Sequence, residues 1–400
     1  MRILHCLRAP VGGLFRHVLD LAARQAELGH AVGMIADSQA TDALTQQRLS
    51  AIAPKLVLGL HRVAMSRAPG LSDVNAHSAI TALTRPLNLD ILHGHGAKGG
   101  AYARLSGRAL KAQGQSVKTF YTPHGGTLNY APASLEGRIF IGLEMILDRL
   151  TDGLIFESAF AARLYGERIR QRGTPRRVIH NGLQPSDFAP VTPAPNATDF
   201  LYIGELRDVK GIDVLLRALA VLNAGRNRPY TATLVGSGPD AAALEALTNE
   251  LGLSASVTFP GAMPASLAFP LGRALIVPSR KESFPYVVLE AAAAGMPLIS
   301  TNVGGIPEIV EATDTSLIPP GDIAALASAM TALVNDPITA QARAARLKIA
   351  VASRFTVSVM TANILDFYAN PSDPHNAHKP SAYDVYESDL IKSSPHHGRA

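Results

Sequence analysis

Two glutamates, Glu282 and Glu290, are the residues of this 400-residue chain whose type and spacing point most directly to chemistry. They bracket seven residues at the start of a predicted helix, which follows a short buried strand, Ala274–Val277, and ends at Gly295. The N–H groups and the dipole of a helix N-terminus favour a phosphate group. A carboxylate on either side of that phosphate accepts hydrogen bonds from hydroxyl groups. The pair therefore fits a molecule that carries sugars on both sides of a diphosphate.

Ser283 and Pro285 define the predicted beginning of this helix. Serine is a favoured N-cap residue, and proline suits the first helical turn, where its missing N–H has no intrahelical partner. This places Glu282 in the preceding loop and Glu290 about two turns inside the helix. A single glutamate near a helix start is more often a solvated residue favoured by the dipole, so a functional interpretation depends on the rest of the chain.

Short apolar segments alternate with amphipathic helices along most of the chain, which predicts parallel sheets with helices on both faces. The clearest helix is Leu14–Leu28, and residues from Pro337 to about Ala369 are predicted to be largely helical. The proline-rich residues 186–198 are predicted to link two domains. The predicted strands are Arg2–Leu7, Ala31–Ala36, Asp90–His93, Val117–Thr122, Gly153–Phe156, Arg177–Ile179, Asp199–Ile203, Thr231–Val235, Val257–Phe259, Ala274–Val277 and Pro297–Ser300.

The predicted fold is α/β, with two doubly wound Rossmann-like domains. Residues 1–185 form the first, residues 199–355 the second, and residues 356–369 a helix that returns to the first. Residues 370–400 contain too little apolar surface to pack and are predicted to be disordered.

Composition limits the classes of function. Hydrophobic residues make up 47% of the chain and charged residues 17%, as in globular proteins. No apolar run reaches the ~18 residues that span a bilayer, and the N-terminus lacks the layout of a signal peptide. Cys6 is the only cysteine, which excludes an intrachain disulfide and favours a reducing cytoplasm. We expect Cys6 to be a buried strand residue.

Charge is distributed unevenly along the chain. Residues 1–185 hold 22 Lys/Arg against 12 Asp/Glu, whereas the remaining residues hold 15 against 20. A basic first half favours an anionic partner such as an acidic membrane surface or a phosphorylated acceptor. No nucleic-acid-binding motif accompanies the charge, so nucleic acid is not a predicted partner. The densest basic cluster, for which a solvated helix face is the alternative, comprises Arg163, Arg168, Arg170, Arg172, Arg176 and Arg177.

Glycine-bearing loops follow several strands of the first half. Gly12 and Gly13 open the first helix, and their lack of a Cβ lets the backbone approach a ligand. His93 and His95 lie at the end of one predicted strand, and His124 follows another. Because ligands of doubly wound sheets bind at the carboxyl ends of the strands, these histidines are expected near a site. His17, in the first helix, fits a surface position equally well.

The stretch from Glu282 to Glu290 resembles the Glu-x7-Glu signature of the retaining family 4 glycosyltransferases. The resemblance covers roughly residues 1–370 and is strongest between Gly204 and Glu308. It implies a GT-B fold, in which two Rossmann-like domains face a central cleft. It also implies transfer of a sugar from a nucleoside diphosphate sugar, most commonly a UDP-sugar, to a polysaccharide or lipid-linked glycan, with retention of anomeric configuration. No metal and no other cofactor is implied, and a front-face path is the favoured mechanism.

The resemblance assigns roles to residues that match the family's motifs. His124, Glu282 and Lys210 are the implied catalytic residues: His124 contacts the transferred sugar, and Lys210 neutralises the diphosphate. His93, His95 and Lys98 are weaker candidates for acceptor contacts. The implied donor-binding residues are Gly12, Gly13, Arg207, Lys210, Gly236, Gly238, Met263, Glu282, Phe284, Tyr286, Val287 and Glu290, with Glu290 holding the ribose hydroxyls.

Two departures from the family pattern keep other functions open. Glu205 stands where the family usually has arginine, although Arg207 lies two residues later, and Pro285 stands where glycine is common. One alternative is a nucleotide-sugar 2-epimerase, which shares the two-domain architecture. Another is a non-catalytic subunit that binds nucleotide sugars. A nicotinamide-dependent dehydrogenase is disfavoured because the chain lacks the glycine fingerprint.

Overall fold

The computed structural model describes residues 1–126, 133–169 and 173–372. The chain divides into two compact units, one from Met1 to His180 together with the chain from Met360 onward, and one from Asn181 to Val359. Of the predicted disordered tail, residues 370–400, the part from residue 373 onward lies outside the described residues, as do two members of the predicted basic cluster, Arg170 and Arg172.

The first unit is built on a seven-stranded parallel sheet in the order β3-β2-β1-β4-β5-β6-β7. β1 lies in the interior of this sheet between β2 and β4, so its apolar residues from Ile3 to Leu7 are fully buried. The strands are β1 Arg2–Leu7, β2 Ala31–Asp37, β3 Leu60–Val63, β4 Ile91–His95, β5 Lys118–Thr122, β6 Gly153–Phe156 and β7 Arg176–Val178. The helices are α1 Gly12–Glu27, α2 Ala43–Ile52, α3 Ser72–Thr84, α4 Gly96–Ala112, α5 Leu135–Asp148 and α6 Ala159–Arg168.

The second unit is built on a six-stranded parallel sheet in the order β10-β9-β8-β11-β12-β13. Its strands are β8 Thr198–Ile203, β9 Ala232–Val235, β10 Val257–Gly261, β11 Gly272–Val277, β12 Leu298–Thr301 and β13 Leu317–Ile318. Its helices are α7 Ile212–Asn223, α8 Ala241–Glu250, α9 Ala265–Ala268, α10 Tyr286–Ala294, α11 Ile306–Val310, α12 Ile323–Asn335 and α13 Pro337–Arg354. The last helix, α14 Val357–Ala369, begins in this unit and belongs to the first unit from Met360 onward.

The helix of the glutamate signature begins later than the sequence predicts. α10 starts at Tyr286, Pro285 is its extended N-cap residue, and Ser283 is therefore not the cap. The Ser283 carbonyl instead accepts a hydrogen bond from the Gly305 N–H at 2.7 Å, and the chain bends at Ser283 and Phe284 before the helix begins. Glu290 is the fifth residue of the helix, little more than one turn inside. Gly295 ends the helix in the left-handed conformation, as predicted.

One bent helix pair is relevant to membranes. Among the described residues no single helix is long and apolar enough to cross a bilayer. α12 and α13 together meet the length and composition of a span, but the two helices are bent by 102° at their junction.

Candidate functional site

Lys210 and Glu282 form an ion pair in the second unit. The Lys210 ammonium donates to Glu282 Oε1 at 2.7 Å, and the Ser279 hydroxyl donates to the same oxygen at 2.7 Å. The Glu282 side chain is 8% exposed and the Lys210 side chain 25% exposed. A partly buried ammonium held in place by a carboxylate is a fixed positive charge at the carboxyl ends of β8 and β11.

Arg280 joins the two loops that carry this pair. Its guanidinium makes two 2.7 Å bonds to the carboxylate of Asp213, in the first turn of α7, and also donates to the Asp208 carbonyl. Its backbone N–H donates to the Val209 carbonyl at 2.8 Å. Bidentate arginine–carboxylate pairs fix geometry in two directions. The loop after β8 is therefore docked onto the loop after β11. Sequence reasoning did not single out three residues that build this candidate site: Ser279, Arg280 and Asp213.

Glycines permit the close approach of these loops. A Cβ on Gly211, which has a φ of +65°, would lie 2.1 Å from the Pro278 carbonyl oxygen. A Cβ on Gly236 would lie 1.8 Å from the Gly204 carbonyl oxygen, and one on Gly238 would lie 2.3 Å from that of Leu206. The predicted donor glycines Gly236 and Gly238 thus bring β9 and its following loop against the loop after β8.

Gly304 lies against the backbone of Glu282. Its φ is +60°, and a Cβ there would lie 2.1 Å from the Glu282 carbonyl oxygen. We expect Gly304→Ala to displace the Glu282 backbone and to lower kcat/KM by at least about tenfold. Gly321→Ala is the matched control, because Gly321 has a φ of +79° with nothing within 4 Å of the added carbon. Steady-state kinetics and thermal unfolding of both variants separate displacement from backbone strain; equal losses of activity in the two would contradict this role.

The remaining residues of the signature are divided between core and surface. Phe284 and Tyr286 are buried in the core of the second unit, so only their backbone groups remain as candidate donor contacts. Asn181, which sequence reasoning also missed, donates to the Phe284 carbonyl at 3.0 Å. Val287 and Glu290 on α10 are half-buried. Met263, which follows β10, packs partly buried against the same core.

Arg207 and Glu205 form an exposed pair. The Arg207 guanidinium lies 3.8 Å from the Glu205 carboxylate, and about half of each side chain is exposed. Exposed pairs of this kind contribute little stability. The structure therefore leaves Arg207 able to rotate toward an anion at small energetic cost, and its predicted contact with a diphosphate remains a prediction.

In the first unit, Gly12 and Gly13 form the first turn of α1, and Gly12 has a φ of +61°. Lys98, on α4, forms a 2.6 Å ion pair with Asp73, to which the Tyr102 hydroxyl also donates. Lys98 lines an open groove of about 410 Å³ between α3, α4 and α5. The surface of this groove is mainly apolar.

Five histidines of the first unit lie close together. β1 and β4 pair in register with His5 beside His93 and Leu7 beside His95, and His95 pairs across to Thr122 of β5. The rings of His93 and His95 are 3.9 Å apart between centroids, and those of His17 and His124 are 4.9 Å apart. His17, for which a surface position was equally expected, is instead buried.

His93 does not present its side chain to a ligand. It is fully buried, and its two ring nitrogens are bound to the Tyr368 hydroxyl at 2.6 Å and to the Thr122 hydroxyl at 2.9 Å. His95 is also buried, and its ring nitrogens are bound to His5 at 3.0 Å and to His124 at 3.2 Å. The structure therefore gives neither residue a contact open to an acceptor, whereas His124, in the loop after β5, is half-buried.

Desolvation favours the uncharged form of His5, His93, His95 and His124. It lowers the pKa of His5 to about 4, and it lowers the pKa values of His93, His95 and His124 well below the usual value of 6.5. Burial also raises the pKa of the Cys6 thiol to about 12, so this buried cysteine, predicted as a strand residue, is not an activated nucleophile. Two groups of three histidines are close enough to hold a metal ion: His5, His93 and His95, and His17, His95 and His124.

The lowered pKa of His5 has a consequence for stability. A histidine with a pKa of 6.5 when unfolded and about 4 when folded binds more protons in the unfolded state between these values. Stability is therefore retained above pH 6.5 and is lost as the pH falls toward 4. Between pH 7 and pH 5 we expect His5 alone to lower the free energy of unfolding by about 2 kcal/mol. Urea unfolding at both values, for the native chain and for His5→Leu, measures the difference; the same pH dependence in both would contradict it.

Comparison with known proteins connects these features to glycosyl transfer. Residues 11–187 match the family model described as Glycosyltransferase Family 4, and residues 184–349 match the one described as Glycosyl transferases group 1. The chain is 28% identical over 387 residues to a glycogen synthase of Mycobacterium tuberculosis, covering 88% of this chain and 91% of the relative. It is 37% identical over 161 residues to a D-inositol 3-phosphate glycosyltransferase of Rhodococcus opacus, covering 38% of this chain and 36% of that relative.

Solved structures share the fold. The sucrose-phosphate synthase of Thermosynechococcus elongatus has a TM-score of 0.75 at 22% identity and covers 92% of this chain and 99% of its own. Anabaena HepE in complex with UDP and glucose has a TM-score of 0.76 at 17% identity and covers 92% of this chain and 100% of its own. Both units of the present chain thus have the parallel-sheet α/β architecture of the GT-B fold.

Proposed function

We propose that this enzyme takes its sugar from a nucleoside diphosphate sugar. The premise is that the chain belongs to glycosyltransferase family 4 and transfers glycosyl groups. The observation that carries this proposal is the Lys210–Glu282 pair at the carboxyl ends of two neighbouring strands. Doubly wound sheets bind nucleotides at this edge. A fixed ammonium beside a carboxylate matches a molecule that combines phosphate charge with sugar hydroxyls.

In this proposal Lys210 stabilises the leaving diphosphate. Negative charge grows on that group as the glycosidic bond breaks, so a cation already in place lowers the barrier without reorganising. The first N–H groups of α10, from Tyr286 and Val287, add donors for phosphate oxygens. Glu282 accepts hydrogen bonds from the transferred sugar, Glu290 accepts them from the ribose, and His124 is a further proposed contact of the transferred sugar. Uridine is the proposed base, supported by the complex of HepE with UDP and glucose.

Transfer with retention is the stereochemical part of the proposal. No carboxylate is assigned as a nucleophile, because the proposal assigns Glu282 to the hydroxyl groups of the transferred sugar and Glu290 to those of the ribose. A front-face path, in which the leaving phosphate helps to deprotonate the acceptor hydroxyl, needs no such nucleophile. NMR of the product's anomeric proton tests this directly, and an inverted linkage would reject it.

The acceptor is proposed to be a polysaccharide or lipid-linked glycan, reached at the cytoplasmic face of an anionic membrane. Two observations of the first unit support a lipid: the apolar groove beside Lys98, and a row of exposed apolar side chains on α5. The latter are Leu135, Ile139, Leu143 and Ile146, spaced as one face of a helix. The positive charge of residues 1–185 favours acidic headgroups.

Cosedimentation with anionic liposomes at low salt tests the membrane part. We expect Ile139→Ser to weaken binding by at least about threefold, because it removes an apolar contact from the proposed face. Val221→Ser is the matched control, since Val221 is similarly exposed but lies on α7 of the second unit. Failure of the native chain to bind, or equal binding by both variants, would reject this surface.

A panel of nucleotide sugars tests the donor part. A ligand bound only by the native state at 100 times its Kd stabilises by about 2.7 kcal/mol, which raises the Tm of a domain of this size by about 5–10 °C. We expect such a shift with UDP-sugars and smaller shifts with GDP- and ADP-sugars. Product analysis with donor alone separates the two alternatives, because an epimerase changes the sugar without an acceptor and a non-catalytic subunit leaves it unchanged.

A further inference from the structure

Gln25, His5, His95 and His124 form a continuous chain of hydrogen bonds within the first unit. Gln25 Oε1 lies 2.8 Å from His5 Nε2, His5 Nδ1 lies 3.0 Å from His95 Nε2, and His95 Nδ1 lies 3.2 Å from His124 Nε2. Gln25, His5 and His95 are essentially fully buried, so water does not compete for these bonds.

The chemistry of the groups gives this chain a direction. A neutral imidazole has one N–H donor and one acceptor nitrogen, and an amide oxygen only accepts. Gln25 Oε1 therefore requires the proton of His5 on Nε2. His5 Nδ1 then accepts from His95 Nε2–H, and His95 Nδ1 in turn accepts from His124 Nε2–H. Every ring nitrogen within the chain has one defined role.

Gln25 contributes its amide oxygen to these hydrogen bonds, since Oε1 is the atom that lies 2.8 Å from His5 Nε2. The amide nitrogen is buried and has no hydrogen-bond partner among the described residues. Burial strongly raises the pKa of the Tyr368 hydroxyl, which therefore stays protonated. The Tyr368 hydroxyl is itself bonded to His93 Nδ1.

We propose that Gln25, acting through His5 and His95, holds His124 in the single neutral tautomer that carries its proton on Nε2. His124 has a φ of +49°, an uncommon backbone conformation for a residue other than glycine. Such a conformation persists where surrounding contacts maintain it, and the bond to His95 is one such contact. Gln25, His5 and His95 are thus positioning residues for His124.

The consequence for catalysis rests on the proposed function. With its proton on Nε2 and donated to His95, His124 keeps Nδ1 as the nitrogen that accepts a hydrogen bond, as from a sugar hydroxyl. Four titratable groups lie around this series of hydrogen bonds: His17 on α1, His93 on β4, Cys6 on β1 and Tyr368 on α14. A cation at His124 would be repelled by any charge on His17, which favours the neutral ring.

Long-range ¹H–¹⁵N correlation spectra of the substrate-free chain, which report the tautomer of each histidine, test the proposal. Spectra are recorded at pH 7.5 with and without a chelator, and His124→Asn assigns the resonance. We expect a protonated Nε2 for His5, His95 and His124, and a mixture of tautomers at all three in Gln25→Met. Val18→Ala controls for packing, because Val18 is buried on the same helix as Gln25 but takes no part in the hydrogen bonds from Gln25 to His124. An unchanged His124 signal in Gln25→Met would overturn the proposal, as would a response to the chelator, which would indicate a metal ion on His95.

Gln25→Glu provides a conservative rescue. A carboxylate also accepts from His5 Nε2–H, so the tautomers are retained, while its charge moves the acid limb of the pH–rate profile upward by about one unit. We expect kcat to fall at least about fivefold in Gln25→Met and to recover in Gln25→Glu. KM for the donor should change by no more than about twofold in either variant. The spectra need no substrate. If the native protein shows the expected tautomers but transfers no sugar, the proposed function is rejected and the inference about the tautomers is retained.

Discussion

Replacing Lys210 by alanine is expected to lower kcat/KM for glycosyl transfer by about 10²–10³-fold. The substitution removes the positive charge proposed to meet the leaving diphosphate, and loss of one preorganised group of this kind typically has an effect of that size. The fold should persist, because the lysine side chain is 25% exposed and contributes no core packing. Initial rates with a UDP-sugar, together with the Tm, measure both quantities.

Lys281→Ala is the matched control for Lys210→Ala. Lys281 is exposed on the loop after β11, next to Glu282, so the two variants change net charge equally in the same region. Lys281→Ala should retain activity within about twofold. Lys210→Arg keeps the charge but not the compact ammonium, and we expect an intermediate loss. Equal rates for Lys210→Ala and Lys281→Ala would show that the reaction depends on the net positive charge of this region and not on a charge at position 210.

Replacing Glu282 by alanine is expected to lower kcat/KM to a similar extent. The variant loses the proposed acceptor for a sugar hydroxyl, and it also releases Lys210 and Ser279, which both donate to Glu282 Oε1. Because the two residues act as one unit, the double variant Lys210→Ala/Glu282→Ala should be much less impaired than the product of the single effects implies.

Glu245→Ala is the control for the loss of a carboxylate, since Glu245 is exposed on α8. It should leave activity within about twofold. Glu282→Gln keeps the shape of the side chain and one acceptor oxygen but loses the charge that holds Lys210. It therefore separates the effect of binding a sugar hydroxyl from the effect of holding Lys210. Full activity in Glu282→Ala, with the variant folded, would remove the basis for placing the donor here.

Most strands could be predicted from sequence because buried parallel strands consist of short apolar runs. β1 and β6 match the predicted bounds, and β8 and β11 differ by one or two residues at one end. β3 and β13 were missed for a physical reason. Both lie at the outer edges of their sheets, β3 has polar residues at its centre, and β13 is only two residues long.

The site could be predicted less completely than the fold. Lys210 and Glu282 were found by their motifs, but 72 positions separate them along the chain and only the structure joins them. Arg280 was missed because its role depends on Asp213, a residue of another element. The histidine chain could not be predicted, since pairing of β1 with β4 decides that His5 reaches His95. Helix α10 begins at Tyr286 and not at the predicted Ser283 cap; the Ser283 carbonyl is bonded to the Gly305 N–H, a contact that no local pattern reveals.

Calorimetric titration with UDP-sugar and UDP tests the central claim most directly, that Lys210 and Glu282 form the donor site. The native chain and Lys281→Ala should bind with the same Kd, and Lys210→Ala should bind at least about tenfold more weakly, since a charge-assisted contact to phosphate is lost. Equal binding by all three chains, or no binding of any nucleotide sugar by the native chain, would contradict the account.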